Sequence, residues 1–300
     1  MPTIPFPRET LMHVVKTMPA APQILSRLGQ MRLDPNVDLE EVTALLRCDA
    51  ALTARIMRVA NSPAYCIGSP YASIEQALAR VGFSEIYMIA GFAAIAQMAS
   101  QNLRLYGTSG AQVRENSLLT ALVIEALAEV AGVDAHEAYS AGLLRSTGKI
   151  ALEGLTYTAG LLRSGSKLSL GVSPRGTQNK AVYDPESGIP LAQWENDTVG
   201  LSNCEVAAFI LNEWRFPVGI ISAIGYHYQP DQATSEPQLA FLLNLACGQV
   251  DRLGFALPGE KSYWEPRAEN FTVAGVNEVQ LEAAAERAME KFQSLQSAVS

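Results

Sequence analysis

The sequence has no cluster of basic residues, no closely spaced cysteine pair and only three histidines among its 300 residues. Its net charge of −8 argues against a general nucleic-acid surface, because neutralising phosphates requires clustered lysine and arginine. The four cysteines are far apart and form no C-x-x-C pair, which excludes the usual zinc-knuckle spacings and gives no reason to expect disulfides. We expect free, buried thiols in a reducing cytosol.

Long apolar runs are also absent. The most apolar window, Ile86 to Ala96, is shorter than the roughly 18 residues that a membrane-spanning helix needs, and it is typical of a buried helix. The first nine residues carry three prolines and no apolar core, so they do not resemble a signal peptide. We therefore expect a soluble cytoplasmic protein with no membrane partner, built as one large domain or two modest ones.

Apolar residues recur at helical spacing through most of the chain and predict an all-α fold, a multi-helix bundle. Helix-start signals punctuate this pattern. Asp38 followed by Glu41 predicts a capping box, and Asp49, Ser73 and Ser84 each predict the start of a further helix.

One helix stands out in composition. The stretch from Val113 to Val130 is apolar nearly all round, which is typical of a helix at the centre of a bundle. Strand signals are weak and limited to segments such as Phe271 to Val273.

Two stretches interrupt the helical rhythm. Residues 164–190 are rich in Gly, Ser, Pro and Asn and predict a flexible insertion, a mobile flap beside the candidate site. Leu257 to Gly275 is the second stretch, with prolines, glycines and aromatics. A seam near Gln101 to Ala111 predicts an N-terminal helical subdomain, 1–105, and a second helical subdomain, 106–300.

Three blocks of sequence occur in an order that points to a known family. Cys48 to Tyr65 reads CDAALTARIMRVANSPAY, and it is preceded by MPAAPQIL from Met18 and followed by SIEQALARVG from Ser73. This series resembles the signature of HDOD domains over roughly residues 15–230. The residues that carry the signature in the central block are Asp49, Asn61, Ser62 and Tyr65.

The resemblance implies a bacterial signal-transduction module whose 106–300 part is HD-like, that is, related to the HD superfamily of metal-dependent phosphohydrolases. Such modules are attached to response regulators or work beside two-component and cyclic-nucleotide pathways, so the implied partners are signalling proteins. For Asn61 and Ser62 we expect a structural role in ending a helix, with side chains that satisfy loose backbone groups.

The metal site of the HD enzymes is altered in this sequence. Those enzymes carry an adjacent His-Asp pair inside a "GLLHDxGK" motif, and the corresponding stretch here, 142–149, reads GLLRSTGK. Arg145 stands in place of the histidine and Ser146 in place of the aspartate. A guanidinium has no lone pair for a metal, and a serine hydroxyl is a weak, neutral ligand.

The other metal-ligand positions that the resemblance implies are altered as well. Asn116 and Asn203 stand where related sequences place histidines, and His227 alone remains of what is usually a histidine pair. A single imidazole does not hold a catalytic metal, since such sites use three or more protein ligands. We therefore expect no metal and no cofactor, and we read His13 and His136 as surface or capping residues.

Three hypotheses follow from this pattern. The first is a non-catalytic signalling module, a pseudoenzyme that acts by docking partners or by conformational coupling. The second is a sensor whose vacated pocket, with Arg145, Lys149 and His227, binds an anion such as a nucleotide. The third is a residual metal-dependent phosphohydrolase.

The partner of the Arg145 side chain discriminates between the first two hypotheses. A buried guanidinium must find a carboxylate, a set of carbonyls or an external anion. The internal candidates are Glu125 and Glu205, from neighbouring helices, while Glu153 lies too far along the same helix for direct pairing.

Overall fold

The computed structural model describes residues 8–32, 34, 36–66, 68–155 and 182–299. Within these ranges the chain forms α-helices joined by turns and contains no β-strand, which confirms the predicted all-α fold. The helices are α1 (Arg8–Thr17), α2 (Ala21–Arg32), α3 (Leu39–Arg47), α4 (Ala50–Ala60), α5 (Ile74–Val81), α6 (Phe83–Met98), α7 (Gly110–Ala131), α8 (Ala135–Leu144), α9 (147–155), α10 (Leu191–Thr198), α11 (Asn203–Glu213), α12 (Val218–Tyr226), α13 (Pro237–Val250), α14 (Ala268–Ala274) and α15 (Glu278–Val299). Single 3₁₀ turns lie at Arg104–Tyr106, Pro185–Ser187, Pro230–Gln232 and Lys261–Tyr263, and a π-type turn at Asp251–Phe255 follows α13.

Local capping explains several of the predicted helix starts. The side chain of Asp49 accepts a hydrogen bond from the amide of Leu52 at the start of α4, and Ser73 caps α5 in the same way. Asp38 caps α3 by accepting from the amide of Glu40, two residues on, so the capping box predicted with Glu41 is wrong.

The predicted start at Ser84 is also wrong. Gly82, with φ of 92°, ends α5 and begins α6 at once, so Ser84 already lies in the first turn of α6. Its hydroxyl instead lies 3.2 Å from Nε2 of His136 on α8. The single-residue connection leaves no room for a separate capping residue.

The predicted strand at Phe271 to Val273 is a helix in the structure. These residues lie in α14, which packs against α13, and the side-chain amide of Asn270 donates to the side-chain oxygen of Asn244 at 3.2 Å. Weak β-propensity is readily overridden when a segment gains such tertiary contacts.

The expectation of buried thiols holds for only two of the four cysteines. Cys204 and Cys247 are buried, whereas Cys48 is exposed and Cys66 is partly exposed. Cys48 ends α3 with its sulfur directed to the carbonyl of Ala44 on the outer side of that helix.

Helix α7 is the centre of the bundle, as its composition predicts. It is largely buried and contacts α8, α13 and α15. Gly142 lets α8 approach α7 closely, because a Cβ there would lie 2.7 Å from the Cα of Ala121. Gly148 does the same for α9 and α11, since its Cβ would meet the backbone of Asn203. These two contacts bring the polar residues of four helices together.

One cluster of buried apolar side chains extends from Leu11 to Leu295 and includes both sides of the predicted boundary at residue 105. The division into 1–105 and 106–300 stays a prediction. In the described part of the chain, no helix combines the length and apolar character that crossing a membrane requires.

Most of the predicted insertion, 164–181, lies outside the described residues. The following residues are attached to the bundle: the amide of Tyr183 donates to the carbonyl of Leu105 at 2.8 Å, and its ring packs edge-on against Trp194. The mobile flap remains a prediction for the rest of that stretch.

The glycines of α9 provide a matched test of the close packing. A Cβ at Gly148 would lie 1.8 Å from the carbonyl oxygen of Asn203, whereas nothing lies within 4 Å of one at the exposed Gly154. Gly148→Ala should lower the free energy of unfolding by about 3 kcal/mol. Gly154→Ala should be neutral or stabilise by up to about 1 kcal/mol. Urea unfolding of both variants measures the effects, and equal effects would contradict the close α9–α11 contact.

Candidate functional site: a buried charge cluster

Two cationic side chains lie in the interior at the junction of α8 and α9. Arg145 occupies the turn between these helices and Lys149 lies one turn into α9, with exposed fractions of only 1% and 2%. A buried charge is strongly unfavourable unless it is paired and hydrogen-bonded. Their partners therefore decide what this site can do.

Glu260 is the main partner of both cations. Its carboxylate accepts a bidentate pair from Arg145, at 3.0 Å from Nη1 to Oε1 and 2.9 Å from Nη2 to Oε2. Lys149 Nζ donates to the same Oε1, which also accepts from the hydroxyl of Tyr228 at 2.9 Å. Burial alone would raise the pKa of Glu260, but the charges and hydrogen bonds of Arg145 and Lys149 hold it well below its usual range. Glu260 is thus a fully paired internal carboxylate.

Asn116 completes the surroundings of Arg145. Its side-chain oxygen accepts from Nη2 of Arg145, and its amide donates to the carbonyl of Phe255 at 2.7 Å. The central helix α7 is thereby linked to both the guanidinium and the turn that follows α13.

A second carboxyl group, Glu195 of α10, lies at the other end of the cluster and is fully buried. It accepts from the backbone and side-chain amides of Asn203 and from the hydroxyl of Tyr106, at 2.8 to 3.0 Å. Burial raises the pKa of Glu195, and the positive charge of Lys149 opposes that rise. Lys149 thus interacts electrostatically with both carboxyl groups.

His227 is buried as a neutral imidazole. Its Nδ1 lies 2.7 Å from the carbonyl oxygen of Ile224, so Nδ1 carries the proton and donates. Burial and the nearby charge of Arg145 lower the pKa of His227 to about 3. The sulfur of Cys204 lies 3.7 Å from Nδ1, and burial raises the pKa of that thiol well above its usual range.

Aromatic rings close the cluster. Trp264 lies against Arg145, with the guanidinium carbon 5.8 Å from the ring centroid, and Tyr228 stacks on Tyr263 with centroids 4.1 Å apart. Lys149 lies between the rings of Tyr106 and Tyr228, 5.8 and 5.9 Å from their centroids. Such contacts add cation–π attraction and exclude water.

The structure brings most of the predicted site residues together. Asn116, Arg145 and Lys149 are joined through hydrogen bonds, and Asn203 reaches them through the hydroxyl of Tyr228 at 3.4 Å. His227 joins by ring contact with Tyr228, at 4.3 Å between centroids. Ser146 is buried nearby, but its hydroxyl has no hydrogen-bond partner among the described residues.

The predicted partners of Arg145 are wrong. Glu125 faces Lys291 at 4.0 Å, and Glu205 forms a capping box with Ser202 at the start of its own helix. Glu260 takes their place because the chain returns to the bundle core after α13, a path that local sequence does not reveal.

Sequence reasoning also missed Glu195, Tyr106 and Trp264. Nothing in the sequence around Glu195 or Glu260 distinguishes these two from the rest of the 30 acidic residues. The one signal that could have helped is charge balance: two interior cations in 142–149 require acidic partners of comparable burial.

The side chains present do not fit a catalytic divalent metal. Arg145 stands where the resemblance implies a histidine ligand, and Cys204 is a neutral thiol. His227 donates through Nδ1 to Ile224 and keeps an Nε2 without a partner among the described residues, but a single imidazole does not make a catalytic metal site. Glu260, the carboxylate nearest to these positions, is already saturated by donors. Among the described residues there is also no group of three or more His, Cys, Asp or Glu side chains able to hold a metal ion.

The signature residues of the N-terminal block have structural contacts. Asn61 ends α4, and its side chain both donates to the carbonyl and accepts from the amide of Tyr71, at 3.1 and 2.6 Å. Ser62 is buried, and its carbonyl accepts from the amide of Tyr65. Its hydroxyl has no hydrogen-bond partner among the described residues, so the expectation that this side chain satisfies a backbone group is wrong. Asp49 caps α4 and approaches the side chain of Gln97 at 3.5 Å.

Comparison with protein families gives one match. The family model described as HDOD domain matches residues 18–156 and 151–230. No curated protein matches the chain.

Solved structures with the same fold come from several bacteria. An HDOD domain protein of unknown function from Geobacter sulfurreducens superposes with a TM-score of 0.67 at 20% identity, covering 97% of this chain and 98% of the other. A candidate phosphohydrolase from Shewanella amazonensis gives 0.62 at 20% identity over 96% and 97%. A candidate signal transduction protein from Marinobacter aquaeolei gives 0.67 at 19% identity over 97% of this chain and 64% of that one. At these identities the likeness establishes the shared fold alone.

A double-mutant cycle tests the energetic coupling of the buried pair. Arg145→Met and Glu260→Gln should each lower the free energy of unfolding by about 3–5 kcal/mol, because Arg145→Met removes the bidentate partner of the buried Glu260 and Glu260→Gln leaves two buried cations without their carboxylate. The double variant should lose about 2–3 kcal/mol less than the sum of the two.

The exposed pair Arg287–Glu129, 3.5 Å apart with more than half of each side chain exposed, is the matched control. Arg287→Met and Glu129→Gln should couple by less than about 1 kcal/mol. Equal coupling energies in the two cycles would show that Arg145 and Glu260 do not depend on each other.

The neutral state of His227 predicts a pH dependence. Its pKa is about 3 in the folded protein and near 6.5 in the unfolded chain, so between these values only the unfolded state binds the extra proton. The free energy of unfolding should therefore fall as the pH falls, with His227 contributing a loss of about 2 kcal/mol between pH 7 and pH 5.

Glu125, whose pKa burial raises to about 7, acts in the opposite sense over part of this range. The measurement is therefore the difference between wild type and His227→Asn, in which the Asn amide can still donate to Ile224. That difference should change by about 2 kcal/mol from pH 7 to pH 5. A constant difference would mean that His227 has the same pKa in the folded and unfolded states.

Proposed function

The chain belongs to the HDOD family, and we propose that it works as a non-catalytic signal-transduction module that acts through protein contacts or conformational coupling. The observation that carries the proposal is the pairing of Arg145 and Lys149 with Glu260 in the interior. In the HD enzymes that the motif resembles, a metal ion and its bound water supply the chemistry at this place. Here the positive charge belongs to the side chains themselves, and they offer no site for a reactive water.

A residual phosphohydrolase is the weaker candidate. It would need at least three metal ligands, and the one histidine that remains, with its Nε2 unpartnered among the described residues, would supply only one of them. Cations at Arg145 and Lys149 would also repel a divalent ion at short range. The donor set therefore supports loss of the metal-dependent activity.

We further propose that the partners are signalling proteins of bacterial two-component or cyclic-nucleotide pathways, met in the cytoplasm. Support comes from the family resemblance and from the net charge of −8, which disfavours nucleic acid as the partner. The 1–105 and 106–300 parts would then be the two units between which a conformational change is passed.

Metal content and hydrolysis test the proposal. Purified protein should contain no stoichiometric transition metal by elemental analysis, and with added Mn²⁺ or Mg²⁺ it should hydrolyse bis(p-nitrophenyl) phosphate only at the background rate. His227→Asn and a control variant at an exposed histidine, His13→Asn, should behave like wild type. One or two metals per chain, lost in His227→Asn but retained in His13→Asn, would overturn the proposal.

A further inference from the structure

We propose that Arg145, Lys149 and Tyr228 form an oxyanion-binding site whose resident ligand is the carboxylate of Glu260, and that a free carboxylate or phosphate can take its place. The segment 251–264, which carries Glu260, would then be a tethered plug. This inference rests on the proposed function, because it describes how the buried site would be regulated in a module that does not use a metal there.

The donors around Glu260 are those of an anion site. Arg145 offers two parallel N–H groups at 2.9 and 3.0 Å, the geometry that guanidinium uses for carboxylates and phosphates. Lys149 and the hydroxyl of Tyr228 converge on one of the same oxygens. Arg145 also donates to Asn116, Lys149 lies near the rings of Tyr106 and Tyr228, and Tyr228 stacks on Tyr263, so each donor has a contact besides Glu260.

Glu260, the resident ligand of this site, belongs to a segment that lies at the surface. Within 251–264 only Leu257, Glu260 and Trp264 are buried, and the neighbouring Gly259 and Lys261 are partly or fully exposed. A single layer of chain therefore separates the carboxylate from solvent.

The part of this segment that can turn lies between Phe255 and Tyr263, whose carbonyls accept from the side chains of Asn116 and Asn244. Gly254, with φ of 90°, and Gly259, with φ of 79°, flank the stretch that leads to Glu260. The backbone hydrogen bonds on either side of Glu260 are local: the amide of Glu260 donates to Leu257, and the amide of Tyr263 to Glu260. Glycines at such positions tolerate the dihedral changes that withdrawal of the segment requires.

Tethering explains how the internal carboxylate keeps external anions out. A group held on the same chain competes at a high effective concentration, so the wild-type protein shows a reduced apparent affinity for any free anion. Removing the Glu260 carboxylate should expose the affinity of the donors themselves.

Glu260→Ala is the test, with sodium formate and inorganic phosphate as probes and sodium chloride at equal ionic strength as the reference. The melting temperature of the variant should lie below that of wild type and rise saturably with formate or phosphate, by about 5 °C near saturation. Wild type should show no rise beyond the chloride reference. The double variant Arg145→Met/Glu260→Ala should lose the response, because the bidentate donor is gone.

A second variant covers the case in which Glu260→Ala does not fold. Glu260→Gln keeps the side-chain volume but leaves the cations without their carboxylate, so its stability should also rise with formate or phosphate more than with chloride. If neither variant responds, or if wild type or the Arg145→Met/Glu260→Ala double variant responds as strongly as Glu260→Ala, the oxyanion site is overturned.

Hydrolysis by Glu260→Ala, measured with Mn²⁺, separates this inference from the proposed function. An anion response without hydrolysis supports both. Hydrolysis that appears in the variant would overturn the non-catalytic proposal while leaving the oxyanion site standing. A missing anion response would overturn the site alone.

Discussion

The carboxylate of Glu260, shared by Arg145 and Lys149, is the contact on which the interior of the bundle depends. Without it Arg145 and Lys149, with exposed fractions of 1% and 2%, would lose the carboxylate to which both donate directly. The desolvation of such charges costs several kcal/mol each, which pairing must offset. The close approach of α8 to α7 at Gly142 and of α9 to α11 at Gly148 is compatible with a folded core because this charge is neutralised.

The same pairing accounts for the chemical character of the site. Two carboxyl groups, two cations and a neutral imidazole interact with each other in a place closed by aromatic rings. Glu195 accepts from Asn203 and Tyr106, and Glu260 accepts from Lys149 and Tyr228. These hydrogen bonds leave both carboxylates with little capacity for a further ligand. The pairing of both carboxyl groups favours a structural or regulatory use of the cluster, in which the Nε2 of His227 and the hydroxyl of Ser146 are the polar groups left without a hydrogen-bond partner among the described residues.

A buried ion pair whose carboxylate lies on a short surface segment also gives a non-catalytic module a way to respond to a signal. Packed interiors change between discrete arrangements, so a segment that carries one charge can be in place or withdrawn but not halfway. Asn116 connects this segment to the central helix α7, and α7 contacts α8 and α15. Withdrawal would therefore reach the helices that carry the outer surface.

The sequence by itself determined most of the helices, the caps at Asp49 and Ser73 and the central position of α7. These features depend on residues close together in the chain, where periodicity and capping chemistry operate. It failed at Ser84 and at 271–273, where a one-residue connection and packing against α13 outweighed local preference. Only the tertiary structure decided that Glu260 pairs with Arg145, because 115 residues separate them and a charged pair leaves no periodic pattern along the chain.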